Sequence, residues 1–243
     1  MIRIKQNLRK MVATTICLAV SSMMFSSCSQ SAKETKANLS SEAKQEKIVP
    51  LCQDEGVVIN GVKWATRNVD KPGTFATKPE DLGMLYQWNC RVGWSATDPI
   101  INSNGGTAWN GIIKVTCTIW EKSNDPSPVG WRVPTSEEIK KLLDEEKVNS
   151  EWVTENGVEG RRFTDKANGN TIFLPAVYSR DNNGVLTSMY GFCYYWLSVA
   201  VPYHEMVPEG VNIKKANDSP RIGIDNFCGR HSFSVSVRSV SDN

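Results

Sequence analysis

Asn-Gly pairs set between short apolar runs constrain this chain more than any other feature of its sequence. Val57, Val58 and Ile59 lead into Asn60-Gly61, and Val62, Lys63, Trp64 and Ala65 follow. Asn-Gly supplies the positive φ angles of a tight primed turn, so this stretch predicts a β-hairpin. Asn156-Gly157, Asn168-Gly169 and Asn182-Asn183-Gly184 punctuate the later chain in the same way. The apolar segments around them, Arg161–Thr164, Thr171–Leu174, Tyr194–Val199 and Phe233–Val240, read as strands. In the last, Phe233, Val235 and Val237 alternate with Ser232, Ser234, Ser236 and Arg238, the pattern of a half-buried strand. Met84–Trp88 and Ile112–Trp120 read as two more strands. Between them Cys90–Gly111, rich in Gly, Asn, Ser and Thr, reads as a long loop.

One helix announces itself. Thr135-Ser-Glu-Glu138 is a capping box, in which the threonine accepts an early backbone N–H and the glutamate reaches back. Pro134 precedes the cap, and Ile139, Leu142 and Leu143 give one apolar face at helical spacing. Lys140, Lys141, Asp144 and Glu145 form the solvated face. The expected class is α+β: short, mostly antiparallel strands, one or two helices and long loops.

The amino end is of a different kind. Arg3, Lys5, Arg9 and Lys10 give a positive start without acidic residues, and Met11–Phe25 is uncharged and largely apolar. Small residues, Ser26 and Ser27, then precede Cys28. This is the layout of a secretory signal, with an apolar core too short to span a bilayer. The cysteine makes it resemble the bacterial lipobox, where cleavage occurs before a diacylated cysteine. Residues 1–27 are therefore expected to be a lipoprotein signal peptide, with Cys28 lipidated. Each buried acyl CH₂ contributes about 0.8 kcal/mol, so two or three chains anchor a protein on the lipid bilayer. Ser29 stands where aspartate would favour inner-membrane retention, which points to the outer membrane. Residues 28–48, without an aromatic residue and rich in Ser, Ala, Lys, Glu and Gln, read as a flexible tether. The domain then occupies 49–243.

Four of the 28 basic residues lie in the signal, which leaves 24 against 26 acidic ones. No basic domain remains, so nucleic acid is not an expected partner. The 216 residues after the signal suffice for one core. Setting aside Cys17 and Cys28, the seven cysteines reduce to Cys52, Cys90, Cys117, Cys193 and Cys228. An odd number leaves at least one thiol outside any internal disulfide, and their pairing stays open. No CxxC occurs, and with His204 and His231 as the two histidines no zinc spacing appears.

Several blocks occur in a telling order. They are Val58-Ile-Asn-Gly-Val-Lys-Trp-Ala-Thr-Arg-Asn-Val69, then Pro79-Glu-Asp-Leu-Gly83 with Tyr86-Gln-Trp88. Asp125-Pro-Ser-Pro-Val-Gly-Trp-Arg-Val-Pro-Thr135 follows. Gly160–Asp165, Gly169–Ala176, Tyr195–Ser198 and Phe233–Arg238 complete the series. Together they resemble the Fibrobacter succinogenes major paralogous domain, common in envelope lipoproteins of Bacteroides and relatives. The resemblance covers roughly Val57–Asp242. It implies a relative of the C-type-lectin-like fold, a compact α+β domain whose ends meet in a sheet. It implies fold and compartment rather than a reaction. Many members carry Cys-Pro where this chain has Ser127-Pro128, and Val-Arg-Cys where it has Val237-Arg238-Ser239. If those cysteines pair in relatives, this chain has lost the bridge at both ends. Such a bridge, closing a loop of about 110 residues, would contribute roughly 2–4 kcal/mol. A further departure is Trp196-Leu197-Ser198, where Trp-Ser-Ser is common.

Catalytic motifs are absent from the sequence. Neither histidine sits in a hydrolase motif, and no Gly-x-Ser-x-Gly occurs. Cys193 and Cys228 match the copper cysteines of formylglycine-generating enzymes by position alone, without the surrounding motif. Asp165–Asn170 and Asp181–Gly184 are rich in oxygen ligands but lack the spacing of a calcium loop. The sugar-binding motifs Glu-Pro-Asn and Trp-Asn-Asp are absent, and Trp109-Asn110-Gly111 is a near miss. No cofactor, metal site or enzyme activity is expected.

Of the eight tryptophans, Trp64, Trp88, Trp131 and Trp196 lie in strands or family blocks and are expected in the core. Trp94 and Trp109 fall in the Gly/Asn-rich loop. With Asn110 they are the expected ligand-binding residues, exposed and suited to stack on a glycan or anchor a protein. The expected function is a non-enzymatic binding or adhesion module. The alternatives are a structural subunit of a surface assembly and an enzyme of unknown type.

Overall fold

A computed structural model describes residues 50–51, 53–111, 113, 116–176, 178–187, 192–202, 206–215, 222–226 and 233–243. Residues 1–27, expected to be a signal, and residues 28–48, expected to be a tether that begins at Cys28, lie outside the described residues, as do Val49, Cys52, His204, Cys228 and His231. The side chain of Cys193 does too.

The Asn60-Gly61 hairpin forms as its sequence predicts. β1 (Val57–Ile59) and β2 (Val62–Trp64) pair antiparallel with Ile59 opposite Val62. Asn60 has φ 45° and Gly61 φ 76°, the left-handed conformations that a primed turn requires. Then come β3 (Leu85–Gln87), β4 (Gly93–Trp94) and β5 (Trp131–Arg132). A long hairpin, β6 (Val148–Glu155) and β7 (Val158–Asp165), turns at Asn156 (φ 49°) and Gly157 (φ 85°). β8 (Thr171–Pro175), β9 (Ser179–Arg180) and β10 (Leu186–Thr187) follow. β11 (Phe192–Pro202), β12 (Met206–Lys214) and β13 (Ile222–Asn226) form a meander. β14 (Ser234–Val235) and β15 (Val240–Ser241) end the chain.

These strands make four sheets, ordered β1-β2-β15-β5, β10-β9-β14-β3-β4, β11-β12-β13 and β6-β7-β8. Every pairing between named strands is antiparallel. β2 and β15, from opposite ends of the domain, lie side by side with Val240 opposite Trp64. The one α-helix among the described residues is α1 (Ser136–Leu142). Its capping box is complete: Thr135 Oγ1 accepts from the Glu138 amide and Glu138 accepts from the Thr135 amide. Ile139 and Leu142 are buried, and Leu143 packs against the same core.

Three readings of the sequence are corrected. Ile112–Trp120 is no strand where it is described; Ile119 alone bridges to Val199. Cys90–Gly111 is not all loop, because it contains β4. Phe233–Val240 is not one half-buried strand. It splits into β14 in one sheet and β15 in another, and its polar face is as dry as its apolar one. Ser234, Ser236 and Arg238 are all buried, as are Val235 and Val237. The alternation was real, but core lies on both sides of it. Buried polar groups require partners, and Arg238 donates to Asn68 Oδ1 (2.8 Å) and to the Ala65 carbonyl.

Trp64, Trp88 and Trp196 are buried as expected, and Trp131 is half-buried with Phe75 against its edge. Two indoles do more than fill space. Trp88 Nε1 donates to the Leu197 carbonyl (2.8 Å), and Trp196 Nε1 donates to the Tyr86 carbonyl (2.6 Å). β3 and β11 share no ladder, so this exchange ties them.

Ser127 and Ser239 meet in the interior, their hydroxyl oxygens 2.8 Å apart. Two cysteines there would carry their sulfur atoms close to one another, as a disulfide requires. Replacing both (Ser127→Cys with Ser239→Cys) is expected to give a protein that oxidises spontaneously. Its oxidised form should resist urea by about 2–4 kcal/mol more than its reduced form. Equal midpoints with and without reductant would contradict this.

Glu138 also carries a pH dependence. Burial pushes its carboxyl up, but hydrogen bonds from Arg132 and Thr135 outweigh that and hold it below its ordinary value. A carboxylate lowered in the folded state stabilises above its unfolded pKa of about 4.3. That stability is lost as pH falls through the lower folded value. Glu138→Gln should flatten the acid limb of a stability-against-pH curve, measured by urea denaturation at stepped pH.

Candidate functional site

Two surfaces gather polar chemistry, and the first is the loop expected to bind. Arg180, on β9 and almost fully buried, holds it. Its guanidinium donates to the carbonyls of Ser95 (2.9 Å), Thr97 (2.6 Å) and Gly184 (2.8 Å). It also reaches the Asp98 carboxylate (3.0 Å) and Ser95 Oγ. Ser95 and Ile101 close the loop by a backbone bond, and the Asp98-Pro99 peptide within it is cis. Nothing in the sequence marks this clamp, because an arginine beside β-strand residues reads as a solvated cation.

The structure does bring Trp94 and Trp109 together, with ring centroids 4.8 Å apart and planes at 66°. Trp94, however, is 4% exposed. The expectation that it projects from the loop is corrected, since β4 pairs with β3 and turns the ring inward. Trp109 is half-buried, its Nε1 donating to the Asn182 carbonyl (3.0 Å). Gly184, at φ 78°, lies under it, and a Cβ there would stand 2.9 Å from the indole. Asn110 is exposed, and its carbonyl accepts from Gln87 Nε2 (2.8 Å). The two oxygen-rich runs, Asp181–Gly184 near Trp109 and Asp165–Asn170 at the Asn60 hairpin, are turn residues. Asp181 Oδ1 accepts from the amides of Asn183 and Val185, and Asp165 accepts from those of Asn60 and Ala167.

The second surface has no signature in the sequence. A groove of about 540 Å³ opens between residues 119–130 and the start of the helix segment. That size lies within the range of small-ligand pockets, about 300–1,000 Å³. Pro128-Val129-Gly130 makes a tight turn, with Gly130 at φ 83° and the Trp131 amide on the Pro128 carbonyl. The turn leaves Val129 fully in solvent, and Ile119 on the groove is 64% exposed. Trp120 and Trp131 form apolar wall. Arg132 holds Glu138 through two bonds (2.8 and 2.6 Å), which raises the guanidinium pKa further. Its Nε lies 3.4 Å from Asp242, and Lys122 Nζ lies 3.6 Å from the same carboxylate. Arg91 donates to the Asp125 carbonyl (2.5 Å), while the Asp125 carboxylate accepts from the amides of Ser127 and Val133.

The same contacts blunt a sheet edge. On the outer side of β5 the Trp131 amide is bonded to Pro128 and the Val133 amide to Asp125. On the opposite outer strand, Asn170 Nδ2 donates to the Val58 carbonyl (3.0 Å). Such plugging disfavours strand addition at these edges.

Cys90 and Cys117 are free thiols, with Asn89 Nδ2 3.1 Å from Cys117 Sγ. Burial pushes the Cys90 thiol up to about 11, so it is a poor nucleophile at neutral pH. Comparison with known proteins finds no matching family model, no matching curated protein and no matching solved structure.

Arg180→Met is expected to cost about 3 kcal/mol, because buried carbonyls lose their donors. Hydrogen exchange should show the Ser95 and Ile101 amides opening faster than those of β7. Unchanged exchange there would mean that Arg180 does not hold the loop.

Proposed function

We propose that this chain is an envelope lipoprotein, anchored to the outer membrane through acylated Cys28 and carrying a non-enzymatic binding module for a glycan or protein. The groove beside Val129 and Ile119 carries the reading. Exposed aliphatic side chains next to indoles and fixed charges are the makings of a recognition surface. Trp109 and Asn110 are a separate, secondary contact surface in this reading; Trp94 contributes by supporting Trp109.

We further propose membership of the Fibrobacter succinogenes major paralogous domain, on a C-type-lectin-like fold. Three features support it. Ser127 and Ser239, the two positions where many members have cysteine, are in contact. The two ends of the domain share a sheet at β2 and β15. The capped helix follows directly on Gly130-Trp131-Arg132-Val133-Pro134-Thr135.

The anchor and the binding are tested separately. In a host that processes bacterial lipoproteins, labelled palmitate should enter the chain and Cys28→Ser should abolish the label. Label retained in that variant would refute the anchor. A glycan array and an envelope pull-down with the mature protein, beside Val129→Asp, test the binding. The expected outcome is a ligand lost in the variant.

A further inference from the structure

We infer that the groove takes an uncharged sugar, an inference that rests on the binding-module reading and names the ligand class. The first observation is charge balance. The cations Arg91, Lys122 and Arg132 stand against the carboxylates Asp125, Asp242 and the Arg132-bound Glu138. With Glu138 neutralising Arg132 from behind the groove wall, three of each leave no net charge to attract an ion.

The second is how those charges are held. Arg132 Nε to Asp242 at 3.4 Å and Lys122 Nζ to Asp242 at 3.6 Å are too long for good hydrogen bonds. Donor and acceptor thus stand side by side with bonding capacity left. A hydroxyl fits there, because it donates to the carboxylate and accepts from the cation at once. A carboxylate or phosphate ligand would gain the donors but be repelled by Asp242. An aliphatic ligand would leave both unsatisfied.

The third is the apolar wall. Val129 and Ile119 project into solvent beside Trp131, offering the C–H face of a sugar ring the surface it needs. The wall also contains a buried donor, Trp120 Nε1, that has no partner among the described residues. An extended peptide fits less well, since the amides on the open side of β5 are already bonded.

The test uses the mature protein and follows its tryptophan fluorescence. The probes are cellohexaose, xylohexaose and mannohexaose, the hexamer of galacturonic acid, and an extended peptide of alternating valine and threonine. At least one neutral hexamer should bind, with an affinity unchanged between about 50 and 500 mM salt. The variants Ile119→Ser and Val129→Ser, at solvent-exposed positions, should each weaken it roughly fivefold or more. Lys122→Ala should weaken it as well, without introducing salt dependence. Preference for the acidic hexamer or the peptide would overturn the inference, as would silence with all three neutral sugars. Neutral-sugar binding that survives the groove variants but is lost in Trp109→Ala would overturn the groove and leave the binding module standing.

Discussion

Two indole N–H groups, each given to the other's strand, hold the centre of this domain. Trp88 donates to Leu197 and Trp196 donates to Tyr86, although β3 and β11 belong to different sheets. An indole is large enough to fill the gap between two layers and has one donor at its rim. Filling the gap and satisfying a buried carbonyl across it are therefore one act. With small sheets of two to eleven residues per strand, ladders alone leave many edges, and contacts of this kind join them.

The same logic extends to the carboxyl-terminal segment. It passes from one sheet to another through a dry interior, and its polar side chains serve as struts. Arg238 spans to Asn68 and Ala65, Ser236 reaches the Leu82 carbonyl, and Ser239 meets Ser127. A segment buried on both faces lacks the one-sided packing that normally fixes register. Here the polar struts fix it, since a slip by one residue would leave Arg238 without Asn68 in an environment that penalises an unpaired charge.

Local chemistry was legible in the sequence wherever a structure is made by neighbours. The Asn60-Gly61 and Asn156-Gly157 turns and the Thr135–Glu138 capping box need only residues a few positions apart, and all three form. What depends on distant partners was not legible. Trp94 reads as a loop residue until β4 pairs with β3. β6 hides because Asn149, Glu151 and Thr154 make a polar strand whose burial is partial. The groove is assembled from segments as far apart as Arg91 and Asp242, and no spacing rule connects them. Arg180 shows the same limit, because the carbonyls that it holds carry no signature of their own.

Arg180 fastens the 95–99 loop largely through main-chain oxygens, which every amino acid supplies. Side chains along the loop can be exchanged while the fastening stays as it is. A single buried cation beneath an anchored loop thus separates shape from chemistry, and leaves the loop's path independent of most of its outward side chains.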